Sequence, residues 1–201
     1  MAGMTIVYPI DDKLYLNITN RCTNKCKFCI RYTPSGIGDV DLWLDREPTV
    51  DEILQALHDA DYTKYRELVF CGYGEPTMRF DDMMQVCRKI KKESNLPIRI
   101  NTNGHANHIA GRDVTPDMYG LVDSISISLN AKNPKEYNDI CLCDFGEAGF
   151  DEMISFAAKA KLYVPDVTMS VVDVLPVEDI VICRRIAEGA GVNFRVRKFS
   201  K

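Results

Sequence analysis

The 201-residue chain is long enough to bury a continuous core, and its 46% hydrophobic and 27% charged composition is typical of one globular domain over residues 1–201. No apolar run is long enough to cross a bilayer, and the first ten residues lack the basic flank of a secretory signal, so we expect a cytoplasmic protein without a membrane partner. The net charge of −4 does not suggest a surface that coats nucleic acid, and we do not expect nucleic acid as a partner.

Short β-rich runs alternate with helical patterns along the chain. The predicted strands cover residues 13–19, 67–71, 98–102, 122–129, 167–172 and 194–199. The six strand–helix alternations predict parallel strands joined by right-handed crossovers. Six strand–helix units are too few for a closed eight-stranded barrel. We therefore expect an α/β fold, an open partial (β/α)6 barrel with a parallel sheet and its chemistry at the carboxyl ends of the strands.

The helices between these strands have recognisable starts. Thr49 and Glu52 form a capping-box pattern ahead of a helix over residues 50–60. Asn133 followed by Pro134 is another favourable start, because proline suits the first helical position. Apolar residues at helical spacing predict three further helices, over residues 82–92, 150–161 and 177–188.

Three cysteines are crowded into the loop after the first predicted strand. Cys22, Cys26 and Cys29 have the spacing C-x3-C-x2-C, and soft thiolates suit iron–sulfur clusters and zinc alike. A closed structural zinc site wants four protein ligands, whereas a cluster held by three thiolates leaves one iron open. Zinc with a distant fourth ligand remains an alternative, with candidates at His58, His105, His108, Cys141 and Cys143.

Polar residues and glycines follow the next strands. Gly72 and Gly74 let the backbone approach a ligand closely, and the Glu75 carboxylate suits the ammonium group of an amino acid. Small polar residues stand at the ends of the next two predicted strands, where they suit ribose hydroxyls and a carboxylate or simply form turns.

The cysteine loop, with aromatic Phe28 before its third cysteine, resembles the signature of the radical S-adenosylmethionine (SAM) superfamily. The segment from Gly72 to Pro76 resembles that superfamily's Gly-Gly-Glu-Pro motif, with Tyr73 where the first glycine is common. The resemblance covers residues 14–199 and is greatest to the TatD-associated radical SAM proteins.

This resemblance implies a [4Fe–4S] cluster on the three cysteines and a SAM site around it. The implied SAM-binding residues are Phe28 near the adenine, Gly72, Tyr73, Gly74, Glu75 and Pro76 at the methionyl amine, Asn103, Ser128 and Asn130 at the ribose and carboxylate, and the backbone of Val171 and Val172 at the adenine.

The resemblance also implies a reaction. SAM is cleaved reductively to methionine and a 5′-deoxyadenosyl radical that abstracts hydrogen from an unidentified substrate, with an electron from a flavodoxin- or ferredoxin-type donor. A functional link to a TatD-type hydrolase is implied by the subgroup. The alternatives are an activase that installs a glycyl radical on a partner protein, a methylating enzyme of the ribosomal-RNA type that uses Cys141 or Cys143, and a non-catalytic iron–sulfur or zinc module.

Several further residues have two interpretations. Cys141 and Cys143 suit a hydrogen-atom donor, a redox pair or an extra metal, but two buried thiols are favoured. Arg195 and Arg197 fit either an inward position facing a carboxylate or phosphate or a solvated strand edge. His105 follows Asn-Gly at a strand end and fits either a position facing the active site or an exposed loop, of which the exposed loop is favoured. We expect residues 32–46 to form a lid or substrate-contacting segment.

Overall fold

A computed structural model describes residues 4–32 and 40–198 of the chain. The strands are β1 Val7–Ile10, β2 Lys13–Leu16, β3 Glu67–Phe70, β4 Ile98–Thr102, β5 Ser124–Ser128, β6 Asp166–Val172 and β7 Asn193–Arg197. The α-helices are α1 Val50–Asp59, α2 Phe80–Glu93, α3 Ala106–Ala110, α4 Pro134–Cys141, α5 Ala148–Ala160 and α6 Val177–Gly189.

All seven strands join one sheet in chain order, β1 to β7, with β2 through β7 parallel. The first and last strands of this order do not pair, so the sheet is open. The predicted partial barrel of six parallel strands is therefore confirmed. No described helix is long and apolar enough to cross a membrane.

The seventh strand, β1, corrects the six-strand prediction. It pairs antiparallel with β2 through a tight turn in which Asp11 has a positive φ of 52°. Four residues that include Pro9 give too short a signal for a strand, and proline is tolerated here because β1 is an edge strand.

The sequence signals for helix starts are confirmed in detail. The Thr49 hydroxyl accepts from the Glu52 amide at 3.2 Å, and the Glu52 carboxylate accepts from the Thr49 amide at 2.8 Å. Asn133 caps α4 by accepting from the Glu136 amide at 2.9 Å. Boundaries shift elsewhere: α2 begins at Phe80 rather than residue 82, β5 begins at Ser124 rather than residue 122, and residue 199 lies outside the described chain.

The two faces of the sheet differ in polarity. On β4, Ile98 and Ile100 are buried in the main hydrophobic core, while the alternate residues Arg99 and Asn101 lie on the opposite face. On β5, the core residues Ile125 and Ile127 alternate in the same way with serines. The helices thus cover an apolar face, and a polar face remains to line the inside of the partial barrel.

Candidate active site

The three-cysteine loop runs from the carboxyl end of β2 and is held by several neighbours. The Asn17 side chain donates to the Leu42 carbonyl at 2.7 Å, and the Glu75 amide donates to the Arg21 carbonyl at 2.8 Å. Arg31 donates to the Asn24 carbonyl at 3.0 Å. The loop is therefore fixed against the ends of β2 and β3, where the sequence predicted it.

All three loop thiols are half-buried. Burial raises the pKa of Cys22 to about 12, although its sulfur accepts from the Asn24 amide at 3.4 Å and Arg31 favours the thiolate. A hydrogen bond with Cys141, together with burial, raises the pKa of Cys26. No three His, Cys, Asp or Glu side chains converge on a metal position in residues 4–32 and 40–198.

The donor set nevertheless suits an iron–sulfur cluster, since three soft thiols lie on one loop and an amide and a guanidinium beside Cys22 favour its thiolate. Of the distant ligands considered for zinc, His58 and His108 lie beside Glu93 and Glu152, and Cys141 is the one in contact with a loop cysteine.

The glycines after β3 are required by close packing against the loop. A Cβ on Gly74 would overlap the carbonyl oxygen of Thr19, and one on Gly72 would overlap the side-chain oxygen of Asn17. Tyr73 between them is buried with Tyr8 and against the edge of Trp43. This packing explains why a large residue is accommodated between the glycines.

Glu75 is buried and accepts four hydrogen bonds from the protein. Its Oε1 accepts from the amide and hydroxyl of Thr77 at 3.1 and 2.7 Å and from the hydroxyl of Thr102 at 2.7 Å. Its Oε2 accepts from the Asn103 amide at 2.7 Å. The carboxylate therefore ties the end of β3 to the end of β4, a role that the sequence did not indicate, and the ammonium contact stays a prediction.

Asn103 is also engaged with the cysteine loop. Its side-chain amide donates to the Thr23 hydroxyl at 2.8 Å and lies 4.0 Å from the Cys22 sulfur. Its side-chain oxygen accepts from the His105 amide at 3.1 Å. The structure thus brings Asn103 next to the loop, where it supports a ligand cysteine.

The prediction that His105 is exposed is wrong, because the side chain is fully buried. Its Nε2 lies 3.0 Å from the Gly149 carbonyl, which requires a proton on that nitrogen, and its Nδ1 then accepts from the Thr23 hydroxyl at 3.0 Å. Tyr137 lies 3.3 Å from Nε2 and links the ring to Asn24. Packing of α4 and α5 on the loop, a long-range contact, buries this histidine.

Burial lowers the pKa of His105 to about 4. An unfolded histidine titrates near 6.5, so the unfolded chain binds the proton first as the pH falls. The stability contributed by neutral His105 is complete above pH 6.5, and we expect up to about 3 kcal/mol of unfolding free energy to be lost as the pH falls to 4. Urea denaturation of the cluster-free protein between pH 7 and 4 measures this loss.

The matched variant for that experiment is His105→Gln, which keeps an amide donor but does not titrate. Carboxylates shared by both proteins contribute equally, so the difference between the two pH profiles isolates His105. Parallel profiles between pH 6.5 and 4 would contradict the assignment.

The remaining predicted SAM-binding residues lie at strand ends. Ser128 is the last residue of β5, and Val172, at the end of β6, is buried opposite Arg197 of β7. Asn130 has a left-handed φ of 60° and a buried Oδ1 without a hydrogen-bond partner in the described structure. Such an orphan acceptor suits a ligand hydroxyl. Phe28 is half-buried on the loop beside Cys29.

Cys141 and Cys143 are buried, as favoured from the sequence. The end of α4 also contacts the cysteine loop, a contact that sequence reasoning missed: the Lys25 amide donates to the Cys141 carbonyl at 2.8 Å, and the Lys27 amide donates to the Ile140 carbonyl at 3.0 Å. These carbonyls would otherwise be unpaired at a helix end, so the loop caps α4. Of the predicted lid, residues 33–39 lie outside the described chain, and Trp43 is partly exposed beside Tyr73.

Comparison with known proteins identifies the family of this chain. The sequence model of the radical SAM superfamily matches residues 16–183. A probable dual-specificity RNA methyltransferase RlmN from Caldanaerobacter subterraneus is 29% identical over 145 residues, covering 70% of this chain and 40% of that protein. A tungsten-containing aldehyde ferredoxin oxidoreductase cofactor-modifying protein from Pyrococcus furiosus is 35% identical over 96 residues, covering 45% of this chain and 23% of that protein.

Solved structures share the fold. The hydrogenase maturase HydG from Carboxydothermus hydrogenoformans superimposes with a TM-score of 0.65 at 15% identity, covering 94% of this chain and 44% of that chain. The structure of Streptococcus suis SuiB bound to SAM superimposes with a TM-score of 0.63 at 15% identity, covering 93% of this chain and 38% of that chain. Among the sequence relatives, the RlmN proteins and the cofactor-modifying protein, the chain matches about 40% or less of each relative's length.

Proposed function

The chain belongs to the radical SAM superfamily, and from this premise we propose that Cys22, Cys26 and Cys29 hold its cluster beside a SAM site at the strand ends. It is an enzyme, and its cofactors are a [4Fe–4S] cluster and SAM. Held by Cys22, Cys26 and Cys29, the cluster would supply the electron for reductive cleavage of SAM, and the bound SAM would supply radical chemistry for removing hydrogen from the substrate. The observation that carries the proposal is the packing of the cysteine loop against the ends of β3 and β4.

The chain's own residues orient the two cofactors in this proposal. Amide donors from Asn24 and Asn103 approach the Cys22 sulfur, and hydrogen bonds to sulfur tune the potential of a cluster. Backbone carbonyls between Gly72 and Pro76 would accept hydrogen bonds from the methionyl amine of SAM. The Glu75 side chain holds that turn in place through its hydrogen bonds with the amides of Thr77 and Asn103. Asn103, Ser128 and Asn130 would bind the ribose and carboxylate of SAM, and the backbone of Val172 and the ring of Phe28 would lie at its adenine.

The substrate and partners remain proposals of ours. We expect a flavodoxin- or ferredoxin-type donor, and we propose the TatD-associated subgroup with its hydrolase link and a cytoplasmic location. The RlmN relatives are RNA methyltransferases by name, so RNA methylation is a second candidate despite the net charge of −4. The similarity covers only 40% of those relatives, and Cys141 and Cys143 are both buried, which disfavours a thiol that attacks RNA. A glycyl-radical activase and a non-catalytic metal module are less favoured than either reaction.

Anaerobic reconstitution tests the proposal. We expect about four irons and four sulfides per chain, because a cubane contains that many. With SAM and dithionite, the loaded protein should release 5′-deoxyadenosine and methionine in equal amounts. Stoichiometric zinc, or fully loaded protein that forms no 5′-deoxyadenosine, would overturn the proposal.

A further inference from the structure

Two arginines of β7 lie on the inner face of the partial barrel. Arg195 donates through Nη2 to the Ser126 hydroxyl at 3.1 Å, although β7 pairs with β6 and Ser126 belongs to β5. To reach it, the side chain must cross β6 over the polar face of the sheet. Arg195 is exposed at the last strand, yet its guanidinium is directed inward to Ser126, so each of the two interpretations of this residue holds in part.

Arg197 also faces inward. Arg197 stands two residues after Arg195 on β7, so its side chain leaves the sheet on the same face. Its charge also opposes the rise that burial causes in the pKa of Cys71, which follows β3, four strands away from β7. Two groups so far apart along a sheet approach each other only across the inside of a curved one. Arg197 thus points into the barrel towards the end of β3, which carries the proposed SAM-binding turn.

These guanidinium groups lack acidic partners. The Nε atom of Arg197 is buried without a hydrogen-bond partner, and in residues 4–32 and 40–198 neither arginine is ion-paired with a carboxylate. Burial and the nearby charge of Arg195 both lower the pKa of Arg197. A buried, uncompensated cation beside a second cation is costly unless an anion binds there.

The other charged groups on this face do not compensate the pair. Glu67 lies at the amino end of β3, where it is shared by Lys13 at 3.0 Å and Arg99 at 3.2 Å. Asp166 is exposed at the amino end of β6 and accepts from the side chains of Thr168 and Asn193. Neither of these carboxylates is ion-paired with Arg195 or Arg197.

We propose that Arg195 and Arg197 bind an oxyanion of the substrate, a carboxylate or a phosphate, on the inner face of the partial barrel. A guanidinium offers parallel N–H donors that match either anion. On β4, the buried Oδ1 of Asn101 has no partner in the described structure, and it provides an acceptor for a neighbouring hydroxyl or amine of the same molecule. This inference rests on the proposed function, since it places the substrate within reach of the SAM site.

The carboxylate group of SAM is the main alternative ligand for these two arginines. SAM carries a carboxylate, and an arginine that bound it would belong to the cofactor site. The two assignments differ in one measurable respect: loss of a substrate-binding arginine leaves SAM affinity as it was, whereas loss of a cofactor-binding arginine weakens it.

The test uses the cluster-loaded protein with SAM, melted anaerobically at constant ionic strength with inorganic phosphate or acetate. We expect one of these probes to raise Tm by at least about 2 °C, and the more effective probe identifies the class of anion. Arg197→Gln and Arg195→Gln should abolish the rise, and Arg197→Lys should restore part of it. Arg185→Gln, on the exposed surface of α6, is the matched control and should keep it.

A second readout distinguishes binding from a structural role. Because the Nε atom of Arg197 is buried without a hydrogen-bond partner in the described structure, Arg197→Gln should leave Tm unchanged or raise it when no anion is present. A fall in that Tm, a loss of SAM affinity in Arg197→Gln, or no rise with either probe in the wild type would each overturn the inference. Release of 5′-deoxyadenosine by the wild type is measured separately, so failure of the anion site and failure of the proposed function are told apart.

Discussion

Alanine at Cys22, Cys26 or Cys29 is expected to remove the cluster and to lower 5′-deoxyadenosine formation by more than about 100-fold. Loss of an outer-shell partner alone lowers metal affinity or activity by about 10–100-fold, and a missing ligand should exceed that. Iron and sulfide analysis, the visible absorbance of the cluster and product chromatography measure the effect. Each single variant should be as defective as the triple variant, because the three thiolates act together.

Cys141→Ala is the informative control for this experiment. Cys141 is hydrogen bonded to Cys26 and is the candidate fourth ligand that contacts the loop. In our proposal it is not a ligand, and its removal frees Cys26, so Cys141→Ala should retain about four irons per chain. Buried Cys87→Ala, in α2, controls for the general effect of truncating a core thiol. Loss of metal in Cys141→Ala, with zinc in the wild type, would instead support the regulatory module.

The architecture was predictable because it rests on local patterns. Alternation of Ile98, Ile100 and their polar neighbours on β4 indicated a strand, and the Thr49 capping box located the start of α1. Strand–helix alternation then fixes the topology through general rules of connection. The strand β1 escaped prediction because its four residues carry no repeated pattern and depend on pairing with β2.

The details of the site were less predictable because they depend on contacts between distant segments. His105 looks like a loop residue in sequence, but the loop at Thr23 and the start of α5 at Gly149 bury it. Asn103 and Glu75 were assigned to the ligand from motif resemblance, yet their side chains bind the protein itself. Motif position placed these residues at the ends of β3 and β4, while three-dimensional packing determines which groups of the protein they contact; their contact with SAM stays a prediction.

Glu75→Ala is expected to lower the free energy of unfolding by at least about 4 kcal/mol. The substitution leaves four donors from Thr77, Thr102 and Asn103 without their acceptor in a buried site, and hydrogen bonds to a charged group are worth about 1.5–3 kcal/mol each. Glu75→Gln should lower the free energy of unfolding by about half as much. Its side-chain oxygen can accept from the three donors at Oε1, whereas its NH2 group would face the Asn103 N–H, donor against donor. Urea denaturation of the cluster-free protein without SAM measures both.

The absence of SAM in that measurement separates the structural role of Glu75 from a role in binding. If the carboxylate only received the methionyl ammonium, both variants would unfold like the wild type without SAM and would differ in SAM affinity alone. We expect Glu75→Ala to lower the stability of the cluster-free protein directly. It should also weaken cluster binding, because the link between β3 and β4 positions Asn103 beside Cys22. Glu188→Ala, on the exposed surface of α6, should change the unfolding free energy by no more than about 0.5 kcal/mol and controls for removal of a carboxylate. An unchanged unfolding curve for Glu75→Ala would therefore return this residue to a purely cofactor-binding role.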